Sequence, residues 1–447
     1  MKYFGTDGFR GEAGKQLTAD HAYKIGRYLG WYYNRSHKGR IVIGKDTRRS
    51  SYMLEYALVA GITASGSDAF LLHVTTTPSV AYVVRTEDFD CGVMISASHN
   101  PYYDNGIKVM DGNGHKMGAD LENEMEQYID GQIGELPFVT GEDIGTATDY
   151  AIGRNRYIGY LISLATRSYK GKRIGLDCAN GSTFNIAKNV FDSLGAKTYT
   201  IGTEPNGLNI NKECGSTHID ALRRLVLEKE LDAGFAFDGD ADRCIAVDET
   251  GQIIDGDYII YICGRYLKKN GRLDGNHVVA TIMANMGLFK ALDLAGIEYD
   301  ITTVGDKYVN EDMVANGYVL GGEQSGHIIF AKHATTGDGI LTALMVMEVI
   351  MEEKTSLHEL ASGMKKYPQL LRNVRVEDKK AVMENSAVLA VRDEITEDLG
   401  EEGRILLRES GTEPVIRVMV EAESDEICEK HVNRMIQTIR SEGLAVE

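Results

Sequence analysis

Three aspartates fall within five residues, Asp238-Gly-Asp240-Ala-Asp242, and Arg243 follows at once. Carboxylates this close repel one another unless a cation sits among them. A hard divalent ion with oxygen ligands, Mg²⁺ above all, meets that need. The runs Ala233–Phe237 and Cys244–Val247 read as buried strands. The carboxylates therefore belong on a tight loop at a strand end, where α/β proteins hold their ligands. A calcium EF-hand loop would also place acids at its positions 1, 3, 5 and 12, here Asp238, Asp240, Asp242 and Glu249. Its sixth position needs glycine and holds Arg243, and the flanks are not helical. A solvated acidic turn is the plain alternative; apolar strands on both sides speak against it.

Four further loops carry chemistry. Ser96-Ala-Ser98-His99-Asn100-Pro101 follows the apolar run Cys91–Ile95. Asn-Pro alone marks a turn, but a serine beside an imidazole at a strand end is also a candidate nucleophile. Spacing does not choose between Ser96 and Ser98, and the missing Gly-x-Ser-x-Gly elbow disfavours an acyl-transfer hydrolase. Arg408-Glu-Ser410-Gly411-Thr412-Glu413-Pro414, with Arg417 close behind, offers two guanidinium groups, two hydroxyls and a glycine that admits an anion to the backbone. That is the make-up of a phosphate cradle, or else of a Ser-Gly hairpin turn. Gly321-Gly-Glu323-Gln-Ser325-Gly-His327 suits a polyhydroxylated ligand. At the amino terminus, Phe4-Gly-Thr-Asp-Gly-Phe-Arg10-Gly11 is too glycine-rich for a helix, and Arg10 could add positive charge to a site.

The elements that must position these loops repeat along the chain. Arg40–Gly44, Arg173–Asp177 and His277–Thr281 are short apolar strands, each followed by helix-like sequence and a second strand ending in one of the loops. The second strands are Cys91–Ile95, Ala233–Phe237 and Tyr318–Leu320. Three α/β units follow, each presenting one functional loop. Helices are expected from Leu17 to Tyr33, capped by Thr18 or Asp20, from Ile219 to Glu230 and from Ile340 to Glu352. Past Tyr367-Pro368 comes a smaller unit with strands Arg404–Arg408 and Val415–Val420 and a helix near Ser424–Ser441. The expected domains are 1–152, 153–252, 253–367 and 368–447.

A chain of 447 residues is long enough for two to four domains. Its net charge of −18 argues against nucleic acid or an anionic membrane as partner, and an anionic ligand would need a locally basic cleft. No apolar run reaches the ~18 residues of a membrane span, and no secretory leader is visible. The six cysteines are scattered without a CxxC pair, as expected of reduced thiols in a cytoplasmic protein.

Taken in order from Phe4 to Glu421, these loops resemble the α-phosphohexomutase superfamily, most closely the bacterial phosphoglucosamine mutases. The resemblance implies four domains around a central cleft, three related α/β domains with mixed sheets and a smaller C-terminal α+β domain. It makes Ser98 the phosphoryl-carrying serine, with Asp238, Asp240, Asp242 and a phosphoserine oxygen holding one Mg²⁺. Glu323 and Ser325 match the sugar loop. Arg408, Ser410, Gly411, Thr412 and Arg417 match the grip on the distal phosphate. Arg10, His99, Lys108 and Arg243 match the phosphoserine surroundings. Gly207–Asn211, Cys214–His218 and Gln324 favour the glucosamine branch. Glu409 stands where proline is common, and Phe9 where a smaller residue is usual; Glu409 is expected to point away from the anion.

The implied reaction interconverts glucosamine 6-phosphate and glucosamine 1-phosphate through a sugar 1,6-bisphosphate. Three aspartates and a phosphoserine of about −2, against one Mg²⁺, leave about −3, which Arg10, Lys108 and Arg243 would offset. Lys108 and His99 both stand as candidate general bases. A homodimer and a last domain hinged near Tyr367-Pro368 are further expectations. The rivals are a phosphomannomutase or phosphoglucomutase, a non-catalytic sugar-phosphate binder, and a phosphatase using the same serine.

Overall fold

Each of the three repeats closes into the same four-strand pattern. The computed structural model describes residues 2–410 and 414–446. In the first domain Arg40–Lys45 lies parallel to Asp68–Val74 on one side and Cys91–Ile95 on the other. In the second, Arg173–Asp177 lies between Lys197–Ile201 and Ala233–Phe237. In the third, His277–Thr281 lies between Glu298–Thr302 and Leu320–Gly322. Every time, the last of these strands turns back into an antiparallel partner: Asp104–Asp111, Cys244–Asp248 or Ile328–Phe330. The loops carrying Ser98, Asp238–Asp242 and Glu323–His327 are those three reversals. The helical flanks of an EF-hand are thus replaced by an antiparallel strand pair.

The parallel strands are apolar on both faces because helices cover both. Ile41, Ile43, Val93 and Ile95 pack under the helices Ala19–Tyr33 and Arg49–Ala64, while Val42 and Met94 face the helix Thr77–Thr86. The first two of these helices approach closely: a Cβ on Gly26 would lie 2.2 Å from the Leu58 carbonyl oxygen.

Boundaries move slightly from the sequence expectation. Thr18, not Asp20, caps the first helix, in a capping box with His21. The strand expected at Tyr318–Leu320 runs instead over Leu320–Gly322, so Gly321 and Gly322 belong to the strand and the loop proper starts at Glu323. Both glycines are buried; a Cβ on Gly321 would meet the Met313 sulfur at 2.6 Å, so close packing has the say over propensity here.

The chain splits into two compact units, Met1–Met283 with Ile297–Ser362, and Ala284–Gly296 with Gly363–Glu447. The smaller holds a three-stranded antiparallel sheet in the order Gln369–Arg375, Val415–Glu421, Arg404–Glu409. The helices Ser386–Leu399 and Asp425–Ser441 cover it through Val388, Ile395, Val432 and Met435. The helix Met286–Ala295 belongs to this unit. Its first amide and the Asn285 side chain donate to the buried Glu421 carboxylate at 3.0 and 3.2 Å.

Candidate active site

Ser98 stands just past the strand Cys91–Ile95 with φ 51°, in the left-handed region that a β-carbon disfavours. Its hydroxyl donates to Asp238 Oδ2 at 2.5 Å and lies 3.4 Å from His99 Nδ1. Ser96 faces elsewhere: its Oγ accepts the Ser98 N–H at 3.0 Å and meets Arg48 Nη1 at 3.3 Å. The spacing left these two serines equal; the side of the backbone each occupies separates them. Burial, with Arg243 and Arg10 nearby, lowers the His99 imidazole to about 4, which keeps it neutral near pH 7.

The aspartates form a buried trio whose nearest oxygens all lie within 4.8 Å of one another. The loop that carries them is pressed against the serine loop: a Cβ on Gly239 would sit 2.5 Å from the Ser98 carbonyl oxygen, so only glycine fits. Thr77 Oγ1 donates to Asp240 Oδ2 at 2.6 Å, and the Arg243 amide donates to Asp238 Oδ1 at 3.2 Å. Burial and its two acidic neighbours push the Asp238 carboxyl well above its ordinary value. Burial acts on Asp242 too, yet Lys108 and His327 hold it well below. Asp238 therefore favours its neutral form beside these neighbours. Asp240 Oδ1 and Asp242 Oδ1 are buried with no hydrogen-bond donor among the described residues. Clustered hard oxygens with unmet acceptor capacity fit a divalent cation such as Mg²⁺.

Lys108 is the cation already present. Its Nζ lies 3.0 Å from Asp240, 3.2 Å from Asp242 and 3.3 Å from Asp7. Burial works against its charge, but Asp240, Asp7 and Asp242 more than offset that and hold it as an ammonium. Arg10 does not stand alone: its guanidinium pairs with Asp7. Arg243 is more loosely held, with Nε 4.0 Å from Asp242 Oδ1.

Sequence reasoning missed Asp7, Lys116, Asp306 and the role of His327. Lys116 bridges Asp7 at 3.2 Å and Asp306 at 2.6 Å. His327 accepts the Gly337 amide at Nε2, 3.0 Å, which leaves Nδ1, 3.8 Å from Asp242 Oδ1, to carry the proton. A cavity of about 650 Å³ opens beside Lys108, Asp242, His327, Lys116 and Asp306. Asp7 and His327 lie inside motifs quoted from the sequence, and acid–base residues in such loops are the available signal. Nothing at positions 116 or 306 sets them apart before folding.

The loop Glu323–His327 joins this cluster through the backbone. The Cys244 amide donates to the Gly326 carbonyl at 3.0 Å. Gly326 has φ 91°, and a Cβ there would lie 2.3 Å from Cys244 O. Glu323 is half-buried and accepts the Gly305 amide at 3.1 Å, while Ser325 is exposed.

In the smaller unit Arg408 and Arg417 are directly opposite on neighbouring strands. Like charges so placed repel each other, which suits the pair to an anion. Burial, with Arg417 alongside, lowers the Arg408 guanidinium. Ser410 is buried, and its carbonyl accepts from Lys379 Nζ at 2.7 Å. Glu409 is exposed and, one residue along the strand, projects to the opposite face from Arg408. Gly411 and Thr412 lie outside the described residues.

Models of the phosphoglucomutase/phosphomannomutase family match along the chain: alpha/beta/alpha domain I over residues 1–133, domain II over 155–251, domain III over 255–367 and the C-terminal domain over 371–437. The chain belongs to the phosphoglucomutase/phosphomannomutase family. Among its family relatives, the phosphoglucosamine mutase of Lachnospira eligens is 62% identical over 448 residues, covering 100% of both chains. That of Bacillus subtilis is 49% identical over 442 residues, covering 99% of each. The fold also matches a solved phosphoglucomutase/phosphomannomutase family protein of Burkholderia thailandensis, with TM-score 0.79, 21% identity and coverage of 98% and 97%. An Aspergillus fumigatus N-acetylphosphoglucosamine mutase, solved with GlcNAc-6P and magnesium, matches with TM-score 0.69, 18% identity and coverage of 99% and 96%. Among the described residues no helix is long and apolar enough to cross a membrane, and all six cysteines are buried and free of disulfides.

Proposed function

We propose that this family member interconverts glucosamine 6-phosphate and glucosamine 1-phosphate, with Ser98 as the residue that gives and recovers the phosphoryl group. One observation carries the reading: the Ser98 hydroxyl lies 2.5 Å from Asp238, within a buried carboxylate trio that has acceptors to spare. The full-length likeness to phosphoglucosamine mutases at 49–62% identity supports the choice of sugar.

Asp238, Asp240 and Asp242 would hold Mg²⁺, which when bound supplies positive charge against the phosphoryl oxygens. Arg243 and Arg10 add donors near His99 and Asp7. Phosphorylated Ser98 donates to the free sugar hydroxyl, O1 of the 6-phosphate; the resulting 1,6-bisphosphate turns, and Ser98 recovers the phosphoryl group from O6. The hydroxyl proton needs an acceptor. As the charges stand, His99 is a neutral imidazole able to take it, whereas three carboxylates hold Lys108 protonated. Asp240 and Asp242 are two of those three, and a divalent ion held by them would loosen their grip on Lys108 and make it the second candidate for the proton. Glu323 and Ser325 would bind sugar hydroxyls. Arg408, Ser410, Gly411, Thr412 and Arg417 would grip the phosphate that is not being transferred. The four domains 1–152, 153–252, 253–367 and 368–447 would each carry one of these loops.

Intact mass of the purified protein tests the phosphoryl carrier. One phosphoryl increment is expected after incubation with glucose 1,6-bisphosphate, and none in Ser98→Ala. Turnover on glucosamine, glucose and mannose 6-phosphates tests the sugar; faster conversion of either neutral sugar would overturn the choice.

A further inference from the structure

The motif Gly207-Leu-Asn-Ile-Asn211 takes no part in the chemistry above, yet it reaches the serine loop. It lies on the long connection between the strand Lys197–Ile201 and the helix Asp220–Lys229. Backbone bonds pin that connection: Arg49 N–H to Gly207 O at 3.0 Å, Asn211 N–H to Ala179 O at 2.8 Å, and Ser216 N–H to Phe237 O at 2.9 Å, next to Asp238. From this frame the buried Asn211 side chain donates through Nδ2 to Ser98 O at 2.9 Å and to Asn100 O at 3.0 Å. Both partners are carbonyl oxygens, so only the amide nitrogen can face them. The buried Arg48 donates through Nη2 to the same two carbonyls, at 3.1 and 2.5 Å, and is itself held by the Asp46 carboxylate. Two side chains from different domains thus grip one pair of carbonyls on either side of His99. Between them Ser98 keeps a left-handed backbone that a serine does not hold unaided.

We propose that Asn211 is a positioning residue for Ser98, acting jointly with Arg48 to fix the backbone turn that keeps the serine hydroxyl on the aspartate trio. The kinetic consequence rests on the mutase reading of Ser98; the clamp itself does not.

Hydrogen–deuterium exchange and steady-state kinetics on the full chain test it together. Asn211→Ala is expected to speed amide exchange across residues 96–105 by about tenfold. It should lower kcat on glucosamine 6-phosphate by about a hundredfold while KM stays within about twofold, as misplacement of a reacting group does. Arg48→Lys keeps the charge, loses the fork and should show the same pattern more weakly. If Asn211→Ala does not fold, Asn211→Asp, which lacks the donor, replaces it. Unchanged exchange in this segment, faster exchange with unchanged kcat, or a uniform rise across the whole first sheet would each overturn the proposal. Should the wild type prove inactive on all three sugar phosphates, the mutase reading fails, and local exchange alone decides the clamp.

Discussion

At the scale of single residues, the site is a problem of charge under burial. Asp7, Asp240 and Asp242 surround Lys108, and its buried ammonium offsets their charge. Removing one partner of a buried ion cluster costs about 3–5 kcal/mol. Lys108→Met should therefore lose roughly that much stability in EDTA. A divalent ion supplies the same positive charge, so millimolar Mg²⁺ should restore much of the loss. Urea unfolding with and without the metal checks this; equal losses in both conditions would show that lysine and metal do not share the task.

At the scale of elements, the helix Gly339–Glu353 ties its start to the aspartate loop, since the Gly339 amide donates to Ala241 O at 2.8 Å. Its cap is Asp338, whose carboxylate accepts from the Leu341 amide at 2.9 Å and the Tyr157 hydroxyl at 2.8 Å. Burial, against those bonds, raises this carboxyl to about 6. In the unfolded chain it titrates near ~3.9. The folded state thus binds the extra proton between these values, and stability falls as pH rises through them, by on the order of 3 kcal/mol. Asparagine caps equally well and carries no charge. Asp338→Asn should accordingly be the more stable protein above about pH 7, with an advantage that fades toward about pH 4. Denaturant midpoints across that range measure it, and a difference independent of pH would refute the assignment.

At the scale of the whole molecule, the proposed chemistry and the proposed phosphate grip are carried by separate compact units. Arg417→Ala is expected to raise KM for glucosamine 6-phosphate by roughly ten- to a hundredfold, since a charge-assisted phosphate contact is worth roughly 1.5–3 kcal/mol. Phosphorylation of Ser98 by bisphosphate and Mn²⁺ affinity, read by mass and by paramagnetic resonance, should change far less. A phosphatase would not need the distal grip, so an Arg417→Ala protein with undiminished turnover would favour that rival.

Local sequence decides much of this protein. Short apolar strands that end in polar loops dictate three α/β units, because such strands must be covered on both faces; their reversals carry Ser98, Asp238–Asp242 and Glu323–His327, which is readable without knowledge of any long-range contact. The case for a divalent ion also begins locally, since three carboxylates in five residues between apolar strands repel one another once buried. What the sequence left open are distances between residues far apart in the chain. Spacing alone left Ser96 and Ser98 equal, and the contact that sets Ser98 apart runs to Asp238, 140 positions away. Asp7, Lys116 and Asp306 acquire meaning only when they meet around Lys108 and His327, and Asn211 only when it reaches the serine loop. Coulomb energy and hydrogen bonds depend on separation in space, and spacing along a chain fixes that separation within one turn or strand but not between domains.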